Sequence, residues 1–326
     1  MSNVLDVESL SVEFCVNGND FYAVRDVSFH IKAGETFGLV GESGCGKSVT
    51  SLALVRLLSK LAKVHGNVHY SGRNLLKLSD REMRQVRGNE VSMIFQEPMT
   101  SLNPVYKIGA QISESLRLHK KLSARDAFQQ ALEMLRKVGI ARPNEIMDEY
   151  PHQLSGGMRQ RVMIAIAMVC NPNLLIADEP TTALDVTIQA QILELMRTLS
   201  SDYGTSVLLI THDLGVVAEM CDRVAVMYAG EIVEQGSVDD IFFAPNHPYT
   251  KGLLNAIPKI DAVTKERLQP IEGNVPSLSR MPKGCRFAPR CANAMEQCKT
   301  ESPELFDVGE EHTSRCWLSK PKEANA

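Results

Sequence analysis

The run Glu35-Thr36-Phe37-Gly38-Leu39-Val40-Gly41-Glu42-Ser43-Gly44-Cys45-Gly46-Lys47-Ser48 decides the fold. Residues 35–40 are short and apolar, as a buried strand is. The remainder fits the phosphate-loop pattern G-x-x-x-x-G-K-S/T. A helix is expected from about Lys47, with Leu52, Leu54, Val55, Leu57 and Leu58 on its apolar side. Strand, glycine loop and helix in that order separate a phosphate cradle from a chance turn. The glycines let backbone N–H groups curl around phosphates, and the helix turns its positive end toward the anion. Lys47 is placed to reach the β- and γ-phosphates, and Ser48 to ligate Mg2+. The nucleotide set expected here is Gly41, Ser43, Gly44, Cys45, Gly46, Lys47, Ser48 and Val49.

Outward from this loop the chain alternates. Upstream, Leu5, Val7, Leu10, Val12 and Phe14 read as a strand, and a second runs from 21 to 31 after a turn-prone Asn17-Gly18-Asn19-Asp20. Downstream, a helical pattern runs from Ile108 to about Val138 and a further helix lies between Ser155 and Cys170. Residues 173–177 read as a buried strand, 188–199 as a helix and 207–210 as a strand. The pattern is α/β: a mixed sheet with an antiparallel N-terminal part and a helical subdomain at about 97–170. This domain is expected to span 1–258. Prolines 258, 270, 276, 282, 289 and 303 punctuate the remaining chain, so 259–326 reads as a separate, irregular, Cys-rich C-terminal domain, with a frayed end from Lys320.

A second half of the chemistry sits at Leu174-Leu175-Ile176-Ala177-Asp178-Glu179, an apolar strand ending in two carboxylates. Asp178 is placed to hold Mg2+, and Glu179 to orient an attacking water as general base. Alone, this is equally a strand with a solvated acidic turn. Beside a phosphate loop the catalytic reading prevails.

Composition excludes several classes. The 326 residues carry 35 Lys+Arg against 39 Asp+Glu, a net charge of −4, which gives nucleic acid little attraction. With 44% hydrophobic and 23% charged residues the chain is globular rather than disordered. Its longest apolar run, Val162–Cys170, has nine residues; a membrane-spanning helix needs about 20. The first ten residues, MSNVLDVESL, have neither a basic n-region nor an apolar h-region, so no secretory signal and a cytosolic chain are expected.

Leu154-Ser155-Gly156-Gly157-Met158-Arg159-Gln160-Arg161 resembles the signature motif of the ATP-binding cassette (ABC) ATPases. Gln96 in Ile94-Phe95-Gln96-Glu97-Pro98 is similar to their Q-loop, Asp185 in Thr182-Ala183-Leu184-Asp185 to their D-loop, and His212 in Ile210-Thr211-His212-Asp213 to their switch histidine. The resemblance covers about 1–258. It implies a P-loop ABC cassette that hydrolyses ATP with Mg2+ in a head-to-tail dimer. In that dimer Ser155, Gly156 and Gly157 reach the γ-phosphate held by a partner subunit. It also implies that Gln96 touches Mg2+ or the water, that His212 contacts the γ-phosphate, and that adenine stacks on an aromatic near the N-terminus. Phe14 is the choice and Tyr22 the rival; the alternative for either is a place in the sheet core.

A finer likeness concerns Asn246–Pro258, Thr100–Pro104 and Gly273–Leu278, which look like segments of dipeptide/oligopeptide importer ATPases. The residues themselves give no reason why peptide transport needs them, and nickel and glutathione transporters share much of the pattern. The resemblance implies a peripheral subunit on the cytoplasmic face of the inner membrane. Its implied partners are a second, similar ATPase, two transmembrane permease subunits and, indirectly, an extracytoplasmic peptide-binding protein. An exporter is the nearer rival. A repair ATPase is disfavoured because no sustained heptads separate Lys47 from Gln153, a translation ATPase because there is one phosphate loop, and a non-enzymatic scaffold because the catalytic motifs are intact.

Eight cysteines are unevenly placed. Cys15, Cys45, Cys170 and Cys221 are scattered; Cys170 reads as core, and Cys45 as incidental to the loop though open to alkylation. Cys285, Cys291, Cys298 and Cys316 are spaced by five, six and seventeen residues. Zinc favours C-x2–4-C pairs, which are missing here, and an iron–sulfur cluster tolerates looser spacing. The residues leave zinc, iron–sulfur and unligated thiols open. The family resemblance implies a 4Fe-4S cluster, with zinc as the alternative.

Overall fold

The structure, a computed structural model, describes residues 2–16, 18–97, 101–182, 184–257 and 271–321. In chain order the elements are β1 (Asn3–Val16), β2 (Asn19–Lys32), β3 (Thr36–Val40), α1 (Lys47–Leu54), β4 (Ala62–Tyr70), β5 (Arg73–Asn74), α2 (Asp80–Val86) and β6 (Val91–Ile94). Then come α3 (Ile108–His119), α4 (Ala124–Lys137), α5 (Pro143–Ile146), α6 (Gly156–Met168), β7 (Leu174–Asp178), α7 (Val186–Tyr203) and β8 (Ser206–Thr211). The remainder is α8 (Leu214–Met220), β9 (Arg223–Tyr228), β10 (Glu231–Ser237), α9 (Val238–Phe243), α10 (Pro248–Asn255), α11 (Glu296–Thr300), β11 (Phe306–Gly309) and β12 (His312–Ser314). Among the described residues no helix is long and apolar enough to cross a membrane.

The chain forms two compact units that interleave in sequence: residues up to 5, 30–36 and 69–210, and residues 6–29, 37–68 and 211 onward. The expected boundary at 258/259 lies outside the described residues.

In the first unit β6, β7 and β8 run parallel, with Val91 opposite Leu174 and Leu174 opposite Ser206. β7 and β8 are buried throughout, as the strands of a parallel sheet covered on both faces are. The expected helix over 108–138 is two, because Lys121 takes a left-handed φ of 55° and Ser123 starts α4 by accepting from Asp126 N–H. α3, α4 and α6 pack on one another through Ile112, Leu116, Leu132, Leu135 and Val162.

In the second unit β3 pairs parallel with β9, and β9 pairs antiparallel with β10. In this unit's part of β1 the buried positions shift from Val7 to Leu10 and Val12, and in its part of β2 from Val24 to Val27 and Phe29. Ser9 (φ 47°) and Asp26 (φ 48°) make the shift, as bulge residues do. Each has its N–H held by a serine: Ser9 donates to Ser28 Oγ at 2.8 Å and Asp26 to Ser11 Oγ at 2.9 Å.

Residues 271–321 are not the separate, irregular appendage expected. β12 pairs antiparallel with β10, with Glu234 opposite Ser314, and β11 pairs with β12. Phe287 is buried with Tyr228, Tyr249, Val224, Val226 and Ile241, and its ring lies 5.1 Å edge-on to Tyr228 and 5.4 Å from Tyr249. A segment too poor in apolar residues to form a core of its own completes its neighbour's.

Candidate functional site

The phosphate-loop residues lie in the second unit. β3 delivers the chain to Gly41, and α1 begins at Lys47 with Gly46 as its left-handed cap (φ 105°). Side chains are excluded at two glycines. A Cβ on Gly41 would stand 2.1 Å from Met227 O, and one on Gly46 would stand 2.9 Å from Ala23 O. Lys47 is buried, and its Nζ donates to Gly41 O at 2.7 Å and Glu42 O at 3.1 Å. Cys45 O accepts from Gly230 N–H at 2.7 Å. Ser43 and Gly44 are exposed; Ser48 and Val49 are half-buried. The loop therefore offers an exposed N–H-bearing rim over a buried ammonium, the arrangement that binds phosphate.

Cys45 is 1% exposed, and burial pushes its thiol pKa up, so this cysteine is a poor target for alkylation. Cys170 is fully buried, as a core thiol is. Phe14 on β1 is half-buried and Tyr22 on β2 is 42% exposed, so neither ring is spent in a sheet core. His212, at the end of β8, is exposed.

The first unit carries the acidic group. Asp178, last residue of β7, is 4% exposed. Glu179 follows in a left-handed conformation (φ 46°), a strained backbone for a non-glycine residue, and its N–H donates to Ile210 O at 2.9 Å. Its Oε2 accepts from Gln96 Nε2 at 2.9 Å and from Thr182 Oγ1 at 2.9 Å. The structure thus brings Gln96 and Glu179 together, and adds Thr182, to which the sequence motifs assign no role. Ser155 Oγ caps its own helix, accepting from Met158 N–H at 3.3 Å. Gly156 has open space where a Cβ would be. Asp185 caps α7, accepting from Ile188 N–H at 3.0 Å.

Among the described residues no three His, Cys, Asp or Glu side chains form a metal-holding group. The expected four-cysteine site is therefore not a ready-made ligand set. Two of the four are joined through the backbone, Cys285 N–H donating to Cys298 O at 2.8 Å. Burial pushes the Cys285 thiol up to about 11, and Cys298 and Cys316 add to the rise. Burial likewise raises Cys291, with Cys298 adding, and Cys316, with Cys291 and Cys298 adding. Backbone N–H groups address each sulfur: Phe287 and Ala288 at Cys285, Asn293 at Cys291, Leu318 and Ser319 at Cys316, and Met295 at 3.5 Å from Cys298 Sγ. Such donors stabilise thiolate over thiol. At three of the four, burial outweighs those donors and the thiol is favoured over the thiolate.

The segment 246–257 acquires a physical role. His247 caps α10 by accepting from Tyr249 N–H, and Glu234 accepts from Asn246 N–H at 2.6 Å and His247 N–H at 2.9 Å. His312 Nε2 stands 2.9 Å from the same buried carboxylate. Tyr249 is buried, and Glu42 N–H donates to its hydroxyl at 3.0 Å. The segment packs beneath the phosphate loop.

Comparison with known proteins agrees with this geometry. The pattern described as "ABC transporter" matches residues 24–182, and that described as "Oligopeptide/dipeptide transporter, C-terminal region" matches 233–298. The chain is 55% identical to the oligopeptide transport ATP-binding protein AppD of Bacillus subtilis, over 98% of this chain and 97% of that one. It is 52% identical to the dipeptide transport ATP-binding protein DppD of the same organism, over 100% and 98%. A solved dimeric ATP-binding cassette in a post-hydrolysis state, bound to ADP and Pi, superposes with a TM-score of 0.65 at 27% identity, covering 72% of this chain and 98% of that one.

Proposed function

We propose that this chain, which belongs to the ABC transporter family of ATPases, hydrolyses ATP to energise import of dipeptides or oligopeptides. The observation that carries the substrate is full-length identity above 50% to peptide-transport ATP-binding proteins. The match of 233–298 to the oligopeptide/dipeptide C-terminal region supports it.

The chemistry divides among named residues. The N–H rim of residues 41–49 and Lys47 bind and orient the phosphates. Ser48 and Asp178 supply hard oxygen ligands of the kind Mg2+ takes. When bound, Mg2+ neutralises charge building on the phosphates. Glu179 accepts the proton of the attacking water, with Gln96 and Thr182 holding its carboxylate. His212 faces the γ-phosphate once nucleotide is bound. Ser155, Gly156, Gly157 and Asp185 serve the nucleotide of a second, similar ATPase subunit. Phe14 or Tyr22 stacks the adenine.

The subunit works peripherally, at the cytoplasmic face of the inner membrane, on two permease subunits fed by an extracytoplasmic peptide-binding protein; the full-length likeness to peptide-transport ATP-binding proteins supports this. Cys285, Cys291, Cys298 and Cys316 hold a 4Fe-4S cluster, with zinc as the alternative; their clustering in the sequence and the N–H donors around the sulfurs support this. A metal there ties residues 285–316 together and is structural. An anaerobic preparation with visible absorption and iron supports the cluster, stoichiometric zinc replaces it, and neither metal refutes both.

The transport reading is tested by purifying the chain from its membrane. Co-purification with two permease subunits, and ATP-dependent peptide uptake by the reconstituted assembly, is the expected result. An assembly that moves peptide outward, or moves nickel and no peptide, overturns it.

A further inference from the structure

Glu42, second residue of the phosphate loop, is tied at each of its polar groups. Its N–H donates to Tyr249 Oη at 3.0 Å, and its carbonyl accepts from Lys47 Nζ at 3.1 Å. Its carboxylate is gripped at both oxygens by Arg290, Nη1 to Oε2 at 2.6 Å and Nη2 to Oε1 at 3.1 Å. Arg290 is 4% exposed at the side chain, against 31% for Glu42. The guanidinium is held at its base as well: Nε donates to Glu272 O at 2.9 Å and Nη2 to Ile271 O at 3.2 Å, and its carbon lies 5.7 Å from the centre of the Tyr228 ring. Four residues earlier, Arg286 donates to Ala229 O and pairs with Glu231 at 3.2 Å. Gly230, next in sequence to Ala229, donates to Cys45 O. Two arginines flanked by Cys285 and Cys291 thus brace the phosphate loop at two places.

The chemistry of the pair matters more than its strength. Glu42 places a carboxylate in a loop that must receive a polyanion. Unpaired, that charge repels phosphate; a bidentate guanidinium cancels it and fixes the loop carbonyl on which Lys47 rests.

We propose that Arg290 is a positioning residue for nucleotide binding: it neutralises Glu42 and sets the phosphate loop, and through it the state of the four-cysteine segment reaches nucleotide affinity. The second clause rests on the metal reading above; the first does not.

The test is ATP affinity by calorimetry on the full chain, with melting temperature and metal content followed in parallel. Arg290→Met leaves the Glu42 charge bare, and the dissociation constant for ATP rises about tenfold, ~1.4 kcal/mol. KM rises likewise while kcat at saturating ATP holds. Adding Glu42→Gln removes the repulsion and recovers affinity to within about threefold of wild type, a non-additivity that simple loss of packing does not produce. Wild-type affinity in Arg290→Met, or no rescue in the double variant, overturns the positioning role. Stripping metal with a chelator weakens ATP binding in wild type and leaves the double variant unmoved. An equal response in both, or protein that carries no metal as isolated, overturns the coupling to the cysteines, and the Arg290 arm still decides the first clause.

Discussion

Gln96 Nε2 donates to Glu179 Oε2 at 2.9 Å, and Thr182 Oγ1 donates to that same oxygen at 2.9 Å. One oxygen of the carboxylate is thus aimed by two side chains, on a backbone already strained at φ 46°. Thr182 therefore shares with Gln96 the task of positioning Glu179, the base proposed above.

Thr182→Val keeps the shape of the side chain and removes the donor. Turnover falls roughly fivefold, ~1 kcal/mol, while KM for ATP stays within about twofold. Steady-state kinetics at saturating ATP checks this, and an unchanged kcat refutes the positioning of Glu179 by Thr182.

Asp185 has a local task apart from any catalytic one. Asp185→Ala strips the cap from α7, and stability falls by about 1 kcal/mol. Asp185→Asn retains an acceptor and stays within about 0.5 kcal/mol of wild type. Urea titrations of the two variants separate the outcomes; equal losses contradict the capping role.

His247 gives stability a pH dependence of definite sign. Complete burial pushes its pKa down to about 3 from 6.5. Between those values the unfolded chain binds a proton that the folded chain refuses, so stability rises with pH across that window and falls on acidification. The slope is at most about 1.4 kcal/mol per pH unit, and vanishes above pH ~6.5. His247→Asn keeps an acceptor for Tyr249 N–H and lacks the titration. Denaturation midpoints at pH 7.5 and 5.0 should diverge less in this variant than in wild type, and an identical divergence contradicts the assignment.

Glu234 is fully buried beneath three donors, Asn246 N–H, His247 N–H and His312 Nε2. Glu234→Ala orphans them together and costs about 3 kcal/mol or more. Glu234→Gln preserves acceptance at one oxygen and costs less. Thermal melts rank the two, and the reverse order contradicts the network.

What is legible in the sequence is local. The phosphate loop and the strand ending at Asp178 and Glu179 are contiguous, so spacing alone shows them. Residues 223–237 escape a reading by pattern because Glu231, Glu234 and Gln235 look like surface. They sit in strands β9 and β10, with Glu231 and Glu234 buried by virtue of Arg286, His312 and two backbone N–H groups. The C-terminal segment misleads for the same reason: its prolines signal irregularity, while Phe287 finds its core in Tyr228 and Tyr249. No period or spacing reports that Arg290 meets Glu42, 248 residues away. The clustering of four cysteines is visible in the sequence; the arrangement of their sulfurs is not.

Glu179→Gln tests the central claim, that Glu179 is the base for ATP hydrolysis, most directly. The amide fills the space of the carboxylate and cannot take a proton from water. ATP binding within about threefold of wild type, with turnover reduced at least ~100-fold, is the expected result. Hydrolysis at the wild-type rate would contradict it.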